Sequence, residues 1–292
     1  MAALAQHGRQ PGDDGRSLTG RERERLGPDG PIVPSIDLQD LARRMLVDYD
    51  ARAPGQFVGG PLNLTTVQAY ALQAEVSRLR EERGEKIVGY KVGCTSRTIQ
   101  AQLGVKGPIF GRLFDTERHL SGVRLSSARY ANLGVEGEMA VRLSKGLPSC
   151  PFSAEECREA VAELFPVIEL HHYVFPMGWA PGQWLIASNG MHAGFVLPEA
   201  ESRCAGLANF AHKLSIRINE AVVGAVEDAA SLICPIESLR WLAGQLAQIG
   251  RQLHKGQVVL IGSPMPLCPV AAGSRVVVEA PPLGASRVEI GP

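Results

Sequence analysis

A β-rich α+β fold with N-terminal helices is what this sequence predicts. Two helical periodicities occupy the stretch before residue 86, and from Lys86 onward the texture turns to short β-branched runs punctuated by glycine. The chain is also long enough, at 292 residues of which 45% are hydrophobic, to bury a sizeable core.

The elements follow in order. Residues 1–34, rich in Gly, Pro, Arg and Asp and without a sustained apolar period, are expected to form a disordered tail. Ile36, Leu38, Leu41, Met45 and Leu46 keep a helical spacing that ends in the Gly/Pro-rich stretch through Gly55, Gly59, Gly60 and Pro61. Thr65 and Gln68 have capping-box spacing, in which each side chain satisfies the other's free backbone N–H; Val67, Tyr70, Ala71, Ala74 and Leu79 then supply an apolar stripe. Residues 35–85 therefore read as a helical cap and 86–292 as a β-rich catalytic domain. Strands are predicted over 86–93, 122–125, 133–143, 165–175, 193–197, 214–218, 257–262 and 275–280. Helices are predicted over 153–164, behind a capping-box-like Ser153, and over 236–250, and Gly284 between 275–280 and 286–290 predicts a terminal hairpin.

Thirty basic and thirty acidic residues cancel, so no electrostatic footprint for nucleic acid or an acidic membrane exists and a small-molecule partner is favoured. The six cysteines, Cys94, Cys150, Cys157, Cys204, Cys234 and Cys268, show no CxxC spacing and read as reduced thiols. With no membrane-length apolar run and no secretion-type N-terminus, a cytoplasmic address is expected.

Glu136 and Glu138 lie in the apolar run Leu133-Gly-Val-Glu-Gly-Glu-Met-Ala-Val-Arg-Leu143. Residues two apart on a strand share a face, and two like charges in an apolar neighbourhood are costly unless a cation neutralises them. The competing reading is a chance acid-x-acid pair, such as Glu22 and Glu24 in the tail. Glu169, in the strand-like Phe165-Pro-Val-Ile-Glu-Leu-His-His-Tyr-Val-Phe175, is a third carboxylate out of place unless paired, and His171 shares its face. Three carboxylates make a hard oxygen site suited to Mg²⁺ or Mn²⁺. His171, His172 and His192 are further candidate ligands, against the ordinary role of a satisfied imidazole. Lys91 lies between Gly89 and Gly93 on one strand face, which clears space around its ammonium. Beside a metal in a partly dry pocket its pKa is lowered into acid/base range; the other reading is an exposed strand lysine.

These residues carry a resemblance. Ile87-Val-Gly-Tyr-Lys-Val-Gly-Cys-Thr-Ser96, Gln102-Leu-Gly-Val105, Pro108-Ile-Phe-Gly111, the Glu136/Glu138 strand, Val167-Ile-Glu169, Ala187-Ser-Asn-Gly190, Trp241-Leu-Ala243, Gly256-Gln-Val-Val-Leu-Ile-Gly262 and the Leu283-Gly284 hairpin occur in the order seen in the fumarylacetoacetate hydrolase superfamily. The chain resembles the branch of that superfamily formed by 2-oxopent-4-enoate hydratases and 2-oxo-3-hexenedioate (4-oxalocrotonate) decarboxylases, over about residue 36 to the end. The resemblance implies a divalent metal, Mg²⁺ or Mn²⁺, held by Glu136, Glu138 and Glu169, with Lys91 moving protons. It also implies a homo-oligomer, with Ser188, Asn189, Gly262, Ser263 and His171 at the substrate. The 2-oxo acid, such as 2-hydroxypenta-2,4-dienoate, would chelate the metal, which stabilises its enolate.

Departures occur at Ser188, where relatives commonly have Asp, at Ile233-Cys234-Pro235, at Ile261 and at Gly256-Gln257 and Gly273-Ser274. They imply altered pocket walls and a different or larger 2-oxo acid. The alternatives are decarboxylation of a 2-oxo diacid, C–C hydrolysis of an acylpyruvate-type compound, and a non-catalytic homologue. Against hydrolysis stands the lack of a His-Glu pair ahead of Glu136; against an idle homologue stands the retention of Lys91 and the three glutamates.

Because residues 1–34 carry no candidate site residue, their deletion is expected to leave melting temperature and activity nearly unchanged. A large loss of either, by thermal denaturation or turnover assay, would contradict this reading of the tail.

Overall fold

Asp37 opens the first helix, α1 (Leu38–Ala51), by accepting the backbone N–H groups of Gln39 and Asp40, and Arg52 closes it in the left-handed conformation. The computed structural model describes residues 37–53, 64–147, 153–172, 182–199, 204–205 and 213–292, so the tail at 1–34 lies outside the described residues. Thr65 and Gln68 form the predicted capping box of α2 (Thr66–Glu82).

Next come β1 (Ile87–Gly93), α3 (Arg97–Leu103), β2 (Ile109–Phe114), β3 (Arg118–Leu120), β4 (Val123–Ser126), β5 (Gly134–Leu143), α4 (Ala154–Glu159) and β6 (Val161–His171). The chain continues through α5 (Gly182–Ala187), β7 (His192–Leu197), β8 (Cys204–Ala205), β9 (Leu214–Ile218), β10 (Ala221–Val226) and α6 (Pro235–Gln248). It ends with β11 (Val258–Leu260), β12 (Cys268–Pro269), β13 (Arg275–Glu279) and β14 (Ala285–Gly291). The helix expected over 153–164 stops at Glu159: Val161 and Leu164 are already buried strand residues paired with β5. β2, β3, β10, α3 and α5 are additions to the predicted set.

The larger sheet runs β2-β1-β11-β5-β6-β7-β3, with β12 also on β5 and β8 also on β6; the smaller runs β10-β9-β13-β14-β4. The predicted terminal hairpin is β13 paired antiparallel to β14. Val135, Met139 and Val141 of β5 pack against Ile216, Val276, Val278 and Val288 of the smaller sheet and Leu239, Leu242 and Leu246 of α6. The opposite face of the larger sheet carries a second cluster, Leu113, Ala140, Phe165, Val167, Phe195 and Leu260.

That second face is concave. Lys91 on β1 and Glu169 on β6 are three strand steps apart, about 14 Å on a flat sheet at about 4.8 Å per step. Their side chains meet at 2.5 Å. The curl brings the turn ahead of β7 onto β2, where the Asn189 amide both accepts from Arg112 N–H at 2.7 Å and donates to Arg112 O at 2.8 Å. One side chain thus stands in for a neighbouring strand. On β1, a Cβ at Gly89 would lie 1.9 Å from Val258 O, so this glycine admits the β11 backbone.

The N-terminal helices belong to the same compact unit as both sheets, Asp37–Pro292. Arg80 of α2 is 5% exposed and pairs with Glu85 at 2.5 Å and Glu117 at 2.7 Å, its guanidinium 3.7 Å from the centre of the Phe114 ring. Among the described residues no helix is long and apolar enough to cross a membrane. The thiols of Cys94, Cys157, Cys234 and Cys268 are free.

Burial raises the Glu85 pKa, but hydrogen bonds from Arg80 and Thr116 outweigh it and hold the carboxyl down at about 2. A folded-state pKa below the unfolded one contributes stability above the unfolded value that is lost as pH falls toward the folded value. Urea denaturation at pH 5 and pH 3 is expected to show a wild-type loss larger than that of Glu85→Gln by on the order of 2 kcal/mol. Equal losses would exclude Glu85 as the source.

Candidate metal and active site

β5 and β6 pair so that Glu136 stands directly opposite Glu169, Glu138 opposite Val167 and His171 opposite Gly134. Strand alternation puts Glu136, Glu138, Glu169 and His171 on the concave face. Glu138 is 1% exposed and Glu169 is fully buried, whereas the Glu136 side chain is 22% exposed. Glu136 Oε2 lies 3.1 Å from His171 Nε2, which is 3.6 Å from Glu169 Oε2.

The two oxygens of Glu169 have different surroundings. Oε1 accepts from Lys91 Nζ at 2.5 Å and His192 Nδ1 at 2.7 Å. Oε2 is buried and has no hydrogen-bond partner among the described residues. Ligand atoms of Glu136, Glu169 and His171 all lie within 4.8 Å of one another. Glu138 adjoins Glu169, and Glu138 Oε2 accepts the Gly262 N–H at 3.1 Å. Gly262 is at φ +109, and a Cβ there would lie 2.7 Å from the Thr95 methyl, so a side chain would push this N–H off the carboxylate.

The electrostatics are those of a cation site. Burial, then the charges of Glu169 and Glu136, push the Glu138 carboxyl well above the usual range. Burial also works to raise Glu169, but Lys91, His171 and His192 outweigh it and hold Glu169 well below that range. A divalent cation among Glu136, Glu138, Glu169 and His171 would relieve the repulsion and engage the orphaned Oε2, so these residues fit the hard ion that the superfamily implies.

Lys91 is 3% exposed, which removes the exposed-lysine reading. Burial works to lower its pKa, but the charges of Glu169, Glu136 and Glu138 outweigh burial and raise it, and a bound cation would offset those charges. Gly89 faces the β11 backbone and not the ammonium, while a Cβ at Gly93 would meet the Lys91 Cε at 3.8 Å, an ordinary contact. Space for the ammonium comes from Gly190, where a Cβ would lie 3.1 Å from Nζ, and Gly111, where one would lie 3.1 Å from the Lys91 Cγ. The carbonyl of Gly190 accepts from Nζ at 3.3 Å.

A cavity of about 230 Å³ opens beside Lys91, Glu136, Glu138 and His171. Ile99, Leu103, Ile109, Leu185, Met265 and Leu267 are among the other residues that line it, as are Thr95, Ser96 and Ser263. Ser263 Oγ also lies 3.0 Å from Gly137 O and accepts from Met265 N–H at 3.1 Å. Ser188 and Asn189, expected at the substrate, line a different small cavity. The Ser188 hydroxyl donates to Leu185 O, and the Asn189 amide bonds the Arg112 backbone. His172 accepts the Ala131 N–H at Nδ1. His192 and the wall from α3 and α5 were not singled out for these roles: a shift in strand register hides the first, and α3 and α5 were not predicted as elements.

No protein-family profile matches the chain. It is 31% identical over 214 residues to a 2-hydroxyhexa-2,4-dienoate hydratase of Comamonas testosteroni, spanning 73% of this chain and 81% of that protein. It is 29% identical over 225 residues to a 2-keto-4-pentenoate hydratase of Burkholderia vietnamiensis, spanning 75% and 84%. In fold it is similar to 4-oxalocrotonate decarboxylase of Pseudomonas putida G7, complexed with magnesium and adipate, with a TM-score of 0.77 at 24% identity over 94% of this chain and 99% of that one.

Mg²⁺ or Mn²⁺ at about 100 times its Kd is expected to stabilise the protein by about 2.7 kcal/mol relative to EDTA-treated protein. Glu136→Gln should abolish that gain while changing the metal-free melting temperature little, since Glu136 is the most exposed of the three carboxylates. Scanning fluorimetry decides; a metal-induced gain that survives the substitution would rule out this site.

Proposed function

Since the chain belongs to the hydratase and decarboxylase branch of the fumarylacetoacetate hydrolase superfamily, we propose that it is a divalent-metal-dependent lyase. It hydrates a short 2-oxo acid with an apolar tail, of the 2-hydroxypenta-2,4-dienoate and 2-oxopent-4-enoate kind. The observation that carries this reading is the mixed lining of the cavity. Lys91, Glu136, Glu138 and His171 share it with the apolar side chains of Ile99, Leu103, Ile109, Leu185, Met265 and Leu267. A 2-oxo acid would present its carboxylate and 2-oxo oxygens to the first group and its unsaturated tail to the second. The diacid substrate of a decarboxylase would instead desolvate its distal carboxylate against aliphatic side chains, at a cost of several kcal/mol. No arginine is among the described residues that line the cavity.

A bound Mg²⁺ or Mn²⁺ would supply Lewis-acid stabilisation of negative charge developing at the 2-oxo oxygen. Glu136, Glu138, Glu169 and His171 would hold it. Lys91, the one amine among the described residues lining the cavity, gives a proton to a carbon of the chain and regains one from the dienol oxygen. Glu169 Oε1 and Gly190 O keep Nζ aimed. The apolar wall limits the water that reaches the tail, so that a single molecule adds to the activated double bond. In the same reading the protein acts in the cytoplasm as a homo-oligomer, as its resemblance to the superfamily implies.

A panel of 2-oxo acids, followed by ultraviolet absorbance with and without Mg²⁺, tests the assignment. Hydration of mono-acids with apolar tails is expected, with Lys91→Met lowering kcat by about 10² to 10⁴ while Mn²⁺ still binds. Preferred turnover of a 2-oxo diacid with release of CO₂, or near-normal kcat in Lys91→Met, would reject the reading.

A further inference from the structure

Resting on the metal-site reading above, we propose that His192 is a positioning residue: it holds Glu169 by Oε1 so that Oε2 faces the cation. Three observations point there.

The first is a β-bulge. Glu169 pairs with Phe195 and Leu170 with Gly194, but His171 pairs with His192, leaving Ala193 as an extra residue in β7. Simple alternation from Phe195 would put Ala193 on the concave face and His192 on the other. The bulge moves His192 onto the face of His171 and Glu169; re-aiming a side chain beside a site is what such bulges commonly do.

The second is the hydrogen bond itself. A carboxylate only accepts, so Nδ1 carries the hydrogen in the 2.7 Å contact to Glu169 Oε1. His192 is 1% exposed. Together with Lys91 it saturates Oε1 and leaves Oε2, the unpartnered oxygen, toward Glu136 and His171.

The third lies behind the ring. His192 Nε2 and Glu117 Oε2 are both buried, both without a hydrogen-bond partner among the described residues, and 3.8 Å apart. Glu117 is itself fixed, because Oε1 accepts from the Tyr49 hydroxyl at 2.7 Å and pairs with Arg80 at 2.7 Å. Tyr49 belongs to α1 and Arg80 to α2, so the carboxylate that backs the His192 ring is itself held by both helices.

Two substitutions separate this role from mere packing. His192→Asn keeps a donor near the place of Nδ1, whereas His192→Gln extends its amide toward Glu117 and removes the donor from Glu169. Mn²⁺ affinity, measured by electron paramagnetic resonance on protein whose folding is verified in EDTA by its melting temperature, is the readout. His192→Asn is expected within about threefold of the wild-type Kd and His192→Gln weaker by at least about tenfold, the range found for partners of metal ligands. If His192→Gln does not fold, His192→Leu takes its place. An Asn variant as weak as its companion would overturn the proposal, because the loss would then follow the ring and not the donor. So would a Gln or Leu variant that binds Mn²⁺ as the wild type does. Wild-type protein that binds no Mn²⁺, or a Glu136→Gln variant that binds it normally, would sink the metal-site reading instead.

Discussion

Glu169 is a carboxylate without exposed surface, placed in the middle of a nine-stranded sheet, and much of the architecture compensates it. An ionised carboxylate in such a place is strongly unfavourable unless paired and hydrogen-bonded. Its two donors come from opposite sides of β6, Lys91 from β1 three strand steps away and His192 from the neighbouring β7, and the lysine reaches across because the sheet is curled. The curl in turn requires that β2 be met by something other than a regular strand, which Asn189 provides. The glycines at 111 and 190 leave room for the lysine stem and ammonium. The ion pair, the curl and the bulge are thus one arrangement rather than three.

The same concave face separates two environments along its length. Ala140, Phe165 and Leu260 pack as an apolar plug that Val167 and Phe195 extend to the positions opposite Glu138 and Glu169, beside which Glu136, Glu138, Glu169 and His171 converge. The plug keeps bulk water from the inner side of the charged residues, which lowers the local dielectric and strengthens every interaction among them. The smaller sheet and α6 bury the opposite face of β5 and β6, so the carboxylates ride on strands packed from both sides. Rigid strands suit a site whose ligands tolerate little displacement.

Much of this was legible in the sequence where period and chemistry coincided. The two N-terminal helices, both central glutamate strands and the terminal hairpin announced themselves through caps, alternation and a turn glycine. Glu136, Glu138, Glu169 and Lys91 stood out because charge inside an apolar run needs a reason. What escaped is equally physical. Strand β2, Ile109-Phe-Gly-Arg-Leu-Phe114, is buried throughout and carries a glycine and an arginine, so no alternation marks it. The helix at 153–164 was overextended because capping at Ser153 signals a start and nothing in Val161-Ala-Glu-Leu164 signals that pairing with β5 has taken over. His192 was named only as a candidate ligand, since its role depends on one extra residue in β7 that period-two reasoning cannot see. Asn189 was placed at a substrate although its amide is spent on the fold.

The departures from the family pattern can now be read one by one. Ile261 is fully buried among core residues, and its N–H donates to Met139 O. Pro235 begins α6 while Cys234 ahead of it is exposed. Gln257 accepts the His254 N–H and Ser274 accepts the Ala271 N–H, each within a turn. Ser188 closes a local turn onto Leu185. Each of these side chains or backbone groups answers to packing or turn chemistry, and none lines the cavity beside Lys91. The substitutions that looked like altered pocket walls therefore bear on folding. In the proposed reading the substrate tail meets instead Ile99 and Leu103 from α3, Leu185 from α5, and Met265 and Leu267 from the loop after β11. These segments border the strands that hold the charged residues, so the tail-binding wall can vary while the carboxylates and the lysine stay fixed by the sheet.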